Sequence, residues 1–123
     1  MSRGSWTPVD ASGAGLSFVS AVGVSPGGQW TTVENYVFCS FTLTYPATVD
    51  ARVANIGGLP FANGADLIDF HMSNAAAAIG VTHWLINPGS TSFISEAAGA
   101  AAAKTNTDLS GKTLSGTFFY RIS

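Results

Sequence analysis

At 123 residues the chain is long enough for one domain with its own core, and its single cysteine excludes an intrachain disulfide. Charged residues make up only 10% and apolar residues 46%, where a soluble domain ordinarily carries roughly 25% charge. That composition predicts a surface partly covered by assembly partners, or one kept soluble by hydroxyls and amides, and the two are compatible.

The net charge is −2, and Arg3, Arg52, Lys104, Lys112 and Arg121 are dispersed. Nucleic-acid binding needs clustered cations, so none is expected. No stretch approaches the ~18 continuous apolar residues of a membrane span, so no membrane insertion is expected. The opening MSRGSWTPVD lacks the apolar core of a signal peptide. Production in a cytoplasm is the expectation.

In chain order, residues 1–15 read as an extended arm rich in small residues, with Trp6 as its one large anchor and a neighbouring subunit as its partner. Residues 16–123 read as a single domain. Residues 16–24 have strand character, and Ser25-Pro26-Gly27-Gly28 signals a turn. Residues 29–33 form a short strand, Glu34-Asn35 a tight turn, and residues 36–45 a strand with strict alternation. One face of that strand holds Val37, Cys39, Phe41, Leu43 and Tyr45; the other holds Tyr36, Phe38, Ser40, Thr42 and Thr44.

After Pro46 come a short strand at 51–56 and a loop, Gly57-Gly58-Leu59-Pro60-Phe61. Asn63-Gly64 suggests a hairpin turn. Further strands are expected at 66–72, 78–86, 92–97 and 114–122. Residues 97–103 hold helix propensity for one turn at most. Short strands with turn signals about every ten residues predict an all-β fold, an antiparallel β-sandwich of jelly-roll type.

The strongest chemical constellation is Asp69, His71 and His83. If residues 66–72 and 78–86 form a hairpin around Ala77, Phe70 opposes Trp84, Ile68 opposes Ile86 and His71 opposes His83. Opposed strand residues have Cβ atoms ~5 Å apart, which suits two imidazoles sharing Zn²⁺ or Ni²⁺, or a patch that titrates near pH 6–7. The plainer alternative is a row of polar positions on a solvent or subunit face, and no cofactor is expected.

No nucleophile–base pair stands out, and there is no Cys-His-Asn pattern. Gly13-Ala14-Gly15 and Gly27-Gly28 lack the strand–loop–helix context of a phosphate loop. The default for Cys39 is a buried, inert thiol. Trp84, Phe41 and Phe118 read as core. Trp30 and Tyr36 lie near turns and, with Asn35, Asn63 and Asn74, form the candidate contact surface for a receptor or glycan.

Several short motifs carry a family resemblance. Gly4-Ser5-Trp6-Thr7-Pro8, Leu43-Thr44-Tyr45-Pro46-Ala47-Thr48, Ile56-Gly57-Gly58-Leu59-Pro60-Phe61, Leu109-Ser110-Gly111-Lys112-Thr113 and Phe119-Tyr120-Arg121 together resemble the small β-sandwich modules of tailed-bacteriophage virions. Such modules recur at tail-fibre tips and in related surface fibres. The resemblance spans nearly the whole chain.

It implies a homotrimer that displays loops to the host surface, often to glycans, with Trp6, Leu59, Pro60, Phe61 and Tyr120 as packing anchors. The low charge would then follow from burial between three subunits, with the Phe38 face and the Phe118–Tyr120 strand in that interface. The implied protein is a structural virion component and not an enzyme. It is made in the cytoplasm of the bacterial host and partnered by itself, by capsid, tail or baseplate proteins, and by host-surface glycan. Tail fibres carry a long attachment segment before the tip, whereas this module begins close to Met1. That departure brings in the alternative of a capsid decoration (cement) protein that stabilises the phage head. A glycan depolymerase is the remote alternative and needs two carboxylates facing a groove, for instance Asp69 and Glu96.

Overall fold

The computed structural model describes residues 2–18, 27–64, 68–71, 82–97 and 104–122. Among the described residues nine strands form two antiparallel sheets: β1 (Arg3–Trp6), β2 (Val9–Asp10), β3 (Gly27–Val33), β4 (Tyr36–Thr44), β5 (Asn55–Gly57), β6 (Ile68–His71), β7 (Thr82–Ile86), β8 (Phe93–Ala97) and β9 (Thr113–Arg121). The first sheet has the order β1-β3-β4-β9 and the second β2-β5-β8-β7-β6. Their inner faces share one core, so the expected all-β sandwich is present. Its connectivity is not that of a jelly roll. β3 and β4, joined by the Glu34-Asn35 turn, are a hairpin within one sheet, and β6, β7 and β8 are successive neighbours within the other.

The alternation read in β4 is realised. Val37, Cys39, Phe41 and Leu43 are buried, and Tyr45 just beyond the strand is buried with them. β4 is the central strand, paired with β3 from Gly27↔Thr42 to Val33↔Tyr36 and with β9 from Tyr36↔Arg121 to Thr44↔Thr113. A one-residue slip would turn five apolar side chains out to water, so burial pins this register. Leu114, Phe118 and Tyr120 of β9 continue the same inner face.

Phe93 of the second sheet meets the aromatic side chains of the first. Its ring lies 5.5 Å from Phe41 and 5.6 Å from Phe118, and 5.5 Å from Trp84 on its neighbouring strand. Trp6 extends the cluster towards β1 through tilted and edge-on contacts with Phe41 and Phe118. Aromatic pairs at these separations add roughly 0.5–1.5 kcal/mol each beyond the area they bury.

The N-terminal residues pair within their own chain. β1 is the edge strand of the first sheet and β2 the edge strand of the second, so this segment stitches the two together. Small residues make that possible by a reciprocal exchange. In the β1–β3 register Gly4 pairs with Trp30 and Trp6 with Gly28. Each indole occupies space beside a glycine: a Cβ on Gly4 would meet the Trp30 ring, and one on Gly28 would strike Trp6 and the Ser40 carbonyl. Trp6 also donates its indole N–H to that carbonyl at 3.1 Å. Thus the expected anchor role of Trp6 is exercised within its own chain.

Leu59 and Phe61 also pack against this core. Gly58 takes φ +89, and a Cβ there would strike the Thr7 carbonyl where β1 passes over to β2. Leu59 is buried, and Phe61 packs edge-on against Trp30 at 5.0 Å. The Tyr120 hydroxyl donates to the Phe61 carbonyl at 2.7 Å and ties β9 to this turn.

The β6–β7 register is as read from the sequence: Ile68↔Ile86, Phe70↔Trp84 and His71↔His83. Two expectations differ, and a third falls outside the described residues. Leu16–Phe18 is not a strand, and the remainder of the 16–24 segment lies outside the described residues. Asn63-Gly64 is not a hairpin turn. Asn63 is buried, and the Gly64 amide instead donates to the Arg121 carbonyl. The helical turn expected within 97–103 lies outside the described residues. A four-residue helix, α1 (Asn106–Leu109), follows it, and its Thr105–Asp108 capping box satisfies the orphan amides.

Glu34 opens the two-residue β3–β4 turn at φ 55, where turns of this kind favour glycine. Relief of left-handed strain exceeds the added chain entropy, so Glu34→Gly is expected to stabilise the fold by about 0.5–1 kcal/mol in urea denaturation. Gly28→Ala drives a methyl into Trp6 and is expected to destabilise by about 1–3 kcal/mol by the same measurement.

Candidate functional site

Because β4 alternates strictly, the residues between its buried positions lie on the outer face of the first sheet. Register then assembles three rows there: Val33–Tyr36–Arg121, Thr31–Phe38–Phe119 and Gln29–Ser40–Thr117. Three aromatic rings come together. Phe38 and Phe119 have centroids 5.5 Å apart and Tyr36 and Phe119 6.2 Å apart. They remain 43% (Tyr36), 47% (Phe38) and 54% (Phe119) exposed, beside Val33 at 46%. Isolated apolar side chains on a surface need no explanation, but a contiguous cluster marks a contact site.

A shallow groove of about 180 Å³ runs along the neighbouring row, lined by Gln29, Thr31, Phe38, Ser40 and Thr117 and, between them along β3 and β4, by Trp30 and Cys39. One amide, three hydroxyls and the Phe38 ring thus share one small concavity. Arg3, paired with Thr31, and Arg121, paired with Tyr36, lie exposed at its margins. Rigid aromatic faces beside small hydroxyl and amide groups form a recognition surface with little conformational entropy to lose.

Of the contact residues read from sequence, Tyr36 belongs to this cluster. Asn35 sits exposed in the adjoining turn, where its carbonyl accepts from the Ile122 amide. Trp30 lines the groove, while its half-buried ring packs edge-on against Phe61 on the inner side. Asn63 leaves the candidate surface: it is 3% exposed, and its amide donates to the carbonyls of Ile86 at 3.0 Å and Asn87 at 3.3 Å. An Asn next to Gly reads as a turn tip from local sequence, but tertiary contacts drew this one inward. Asn74 and the side chains of Asp69, His71 and His83 lie outside the described residues.

Sequence reading placed the Phe38 face and the Phe118–Tyr120 strand in a subunit interface and missed Gln29, Ser40 and Thr117 as site residues. Phe38 was legible as an aromatic on the hydroxyl-bearing face of β4. Phe119 joins it only through the β4–β9 pairing, 81 positions away along the chain.

Asp10 and Asp50 serve the framework. Asp10 accepts from the Ser12 amide and hydroxyl and from the Leu16 amide. Asp50 accepts from the Arg52 guanidinium and, at 2.8 Å, from the buried Asn106 amide. The Asn106 hydrogen bond, with Arg52 beside it, holds Asp50 below the usual carboxylate range. Among the described residues no group of His, Cys, Asp and Glu side chains forms a metal cluster.

Burial also governs the core acids. Desolvation pushes the Cys39 thiol from 9.0 up to about 12, with the Tyr120 hydrogen bond opposing it. Burial likewise raises Tyr45, helped by the Asp10 charge, and raises Tyr120. All three groups stay neutral in the fold and ionise more readily once unfolded. Their contribution is therefore fully present below pH ~9 and is lost as pH rises through about 12. Urea midpoints are expected to fall steadily above pH ~9, measured against pH 7.

Family models, curated proteins and solved structures were compared with the chain, and none of them matched it.

Proposed function

We propose that this protein is a non-enzymatic surface component of a tailed-bacteriophage virion. In this reading it is a homotrimeric β-sandwich of tail-fibre-tip type that holds host-surface glycan on the outer face of its first sheet. The observation that carries the glycan part is the exposed Tyr36–Phe38–Phe119 cluster beside the groove of Gln29, Ser40 and Thr117. A pyranose ring has an apolar C–H face and a rim of hydroxyls. Aromatic rings match the first, and amide and hydroxyl side chains match the second. The virion part rests on the resemblance of the Trp6, Leu59-Pro60-Phe61 and Phe119-Tyr120-Arg121 motifs. The homotrimer is supported by the 10% charge content, which suits a surface shared between copies.

A second reading has its own support. The same three rings are apolar enough to seat against another protein, as in a capsid decoration protein bound to the phage head. The two readings separate experimentally. On the glycan reading, Phe119→Ala and Tyr36→Ala leave the sedimentation profile unchanged and weaken retention on host cells or a glycan array by about tenfold each. On the decoration reading, the wild-type protein binds no glycan, and capsids prepared without it disassemble at lower temperature. A wild-type protein that binds neither cells, glycans nor capsids sinks both.

A further inference from the structure

The chain has two histidines, and the fold places them directly opposite each other: His71 on β6 pairs with His83 on β7. On the other side of β7, His83 pairs with Glu96 of β8. The three residues therefore form one row across three adjacent strands. Trp84, Ile86, Phe93 and Ser95 are buried, so the alternate positions His83, Leu85, Ile94 and Glu96 belong to the outer face of the second sheet. The pairing of Phe70 with Trp84 assigns Asp69 and His71 to that same outer face.

We infer that the row His71–His83–Glu96 is a binding site for a divalent transition metal of the zinc class. Directly opposed residues have Cβ atoms ~4.5–5.5 Å apart, a spacing at which two imidazoles can serve one ion with bonds of ~2.0–2.1 Å. Two imidazoles and one carboxylate are a complete protein ligand set for zinc with water in the fourth position. Charge points the same way. The outer-face positions of β6, β7 and β8 hold two carboxylates, Asp69 and Glu96, and no Lys or Arg. A cation there answers negative charge that none of these strand positions neutralises. The sequence pointed to Asp69 as the third member. The register instead makes Glu96 the residue directly beside His83, whereas Asp69 pairs with Leu85. Metal binding at this row clamps the β6–β7–β8 meander and is independent of where the protein acts.

The test uses untagged, chelator-stripped protein titrated with Zn²⁺ by calorimetry, and with Co²⁺ by visible absorption. The expected result is one Zn²⁺ per chain, a Co²⁺ spectrum of tetrahedral intensity, and a higher melting temperature with zinc. Substitution His83→Ala or His71→Ala should weaken zinc binding at least about tenfold, and Glu96→Gln by about tenfold, while Asp69→Asn changes it less than about twofold. The inference is overturned if the wild-type chain binds no zinc, or if binding survives the histidine substitutions unchanged. A loss on Asp69→Asn with none on Glu96→Gln overturns the assignment of Glu96. Should His83→Ala fail to fold, the Co²⁺ spectrum of the wild-type chain decides, and a spectrum identical to that of free Co²⁺ overturns the site.

Discussion

Two twisted sheets that each carry one apolar face stay together only where those faces interlock, and here the interlock is aromatic. Phe93, from the second sheet, sits against Phe41 and Phe118 of the first, with Trp84 and Trp6 closing the cluster on either side. The rest of the structure is arranged so that these rings can meet. β4 keeps a strict alternation to aim Phe41 inward, and β9 follows it in register to bring Phe118 alongside. Glycines at positions 4 and 28 let two indoles lie across the β1–β3 pair. A core of this kind needs shape complementarity as well as apolar area.

The outer faces follow from the inner ones. Once burial has fixed the register of β4, the identity of every outward residue on its two neighbours is fixed as well. On the first sheet this brings Tyr36, Phe38 and Phe119 into one exposed patch beside hydroxyl-bearing rows. On the second it lines up His71, His83 and Glu96. Neither arrangement contributes to the core. A fold that leaves three aromatic rings in water and gathers its only two histidines in one row makes both faces candidates for recognition. Polar residues between the strands serve structure instead, as Asn63 and, at the start of α1, Asn106 show by hydrogen-bonding inside the protein.

Much of this was legible along the chain. The period of two in β4, the Glu34-Asn35 turn and the Gly-Gly-Leu-Pro-Phe anchor are local signals, written over a few residues and obeyed in the fold. The His71–His83 pairing was legible too, because apolar and polar positions on both strands sort onto separate faces in only one parity. Local signals misled where a distant partner intervened. The small residues before position 16 suggested an extended arm packed on a neighbouring subunit, yet edge strands of both sheets lie there, since Gly4 and Gly28 each make room for an indole on the opposite strand. Asn63-Gly64 suggested a turn tip, yet the carbonyls of Ile86 and Asn87 draw the Asn63 amide inward.

The amino-acid sequence by itself determined the fold class, the inner and outer faces of its strands, and the absence of clustered cations. These depend on alternation and composition, which need no knowledge of what lies next to what. Only the tertiary structure decided the order of strands in the two sheets and the union of Phe38 with Phe119. It also decided the placing of Glu96 beside His83. Each of these is a pairing between strands, and pairing is settled by the burial of whole faces at once, a quantity that no single segment carries.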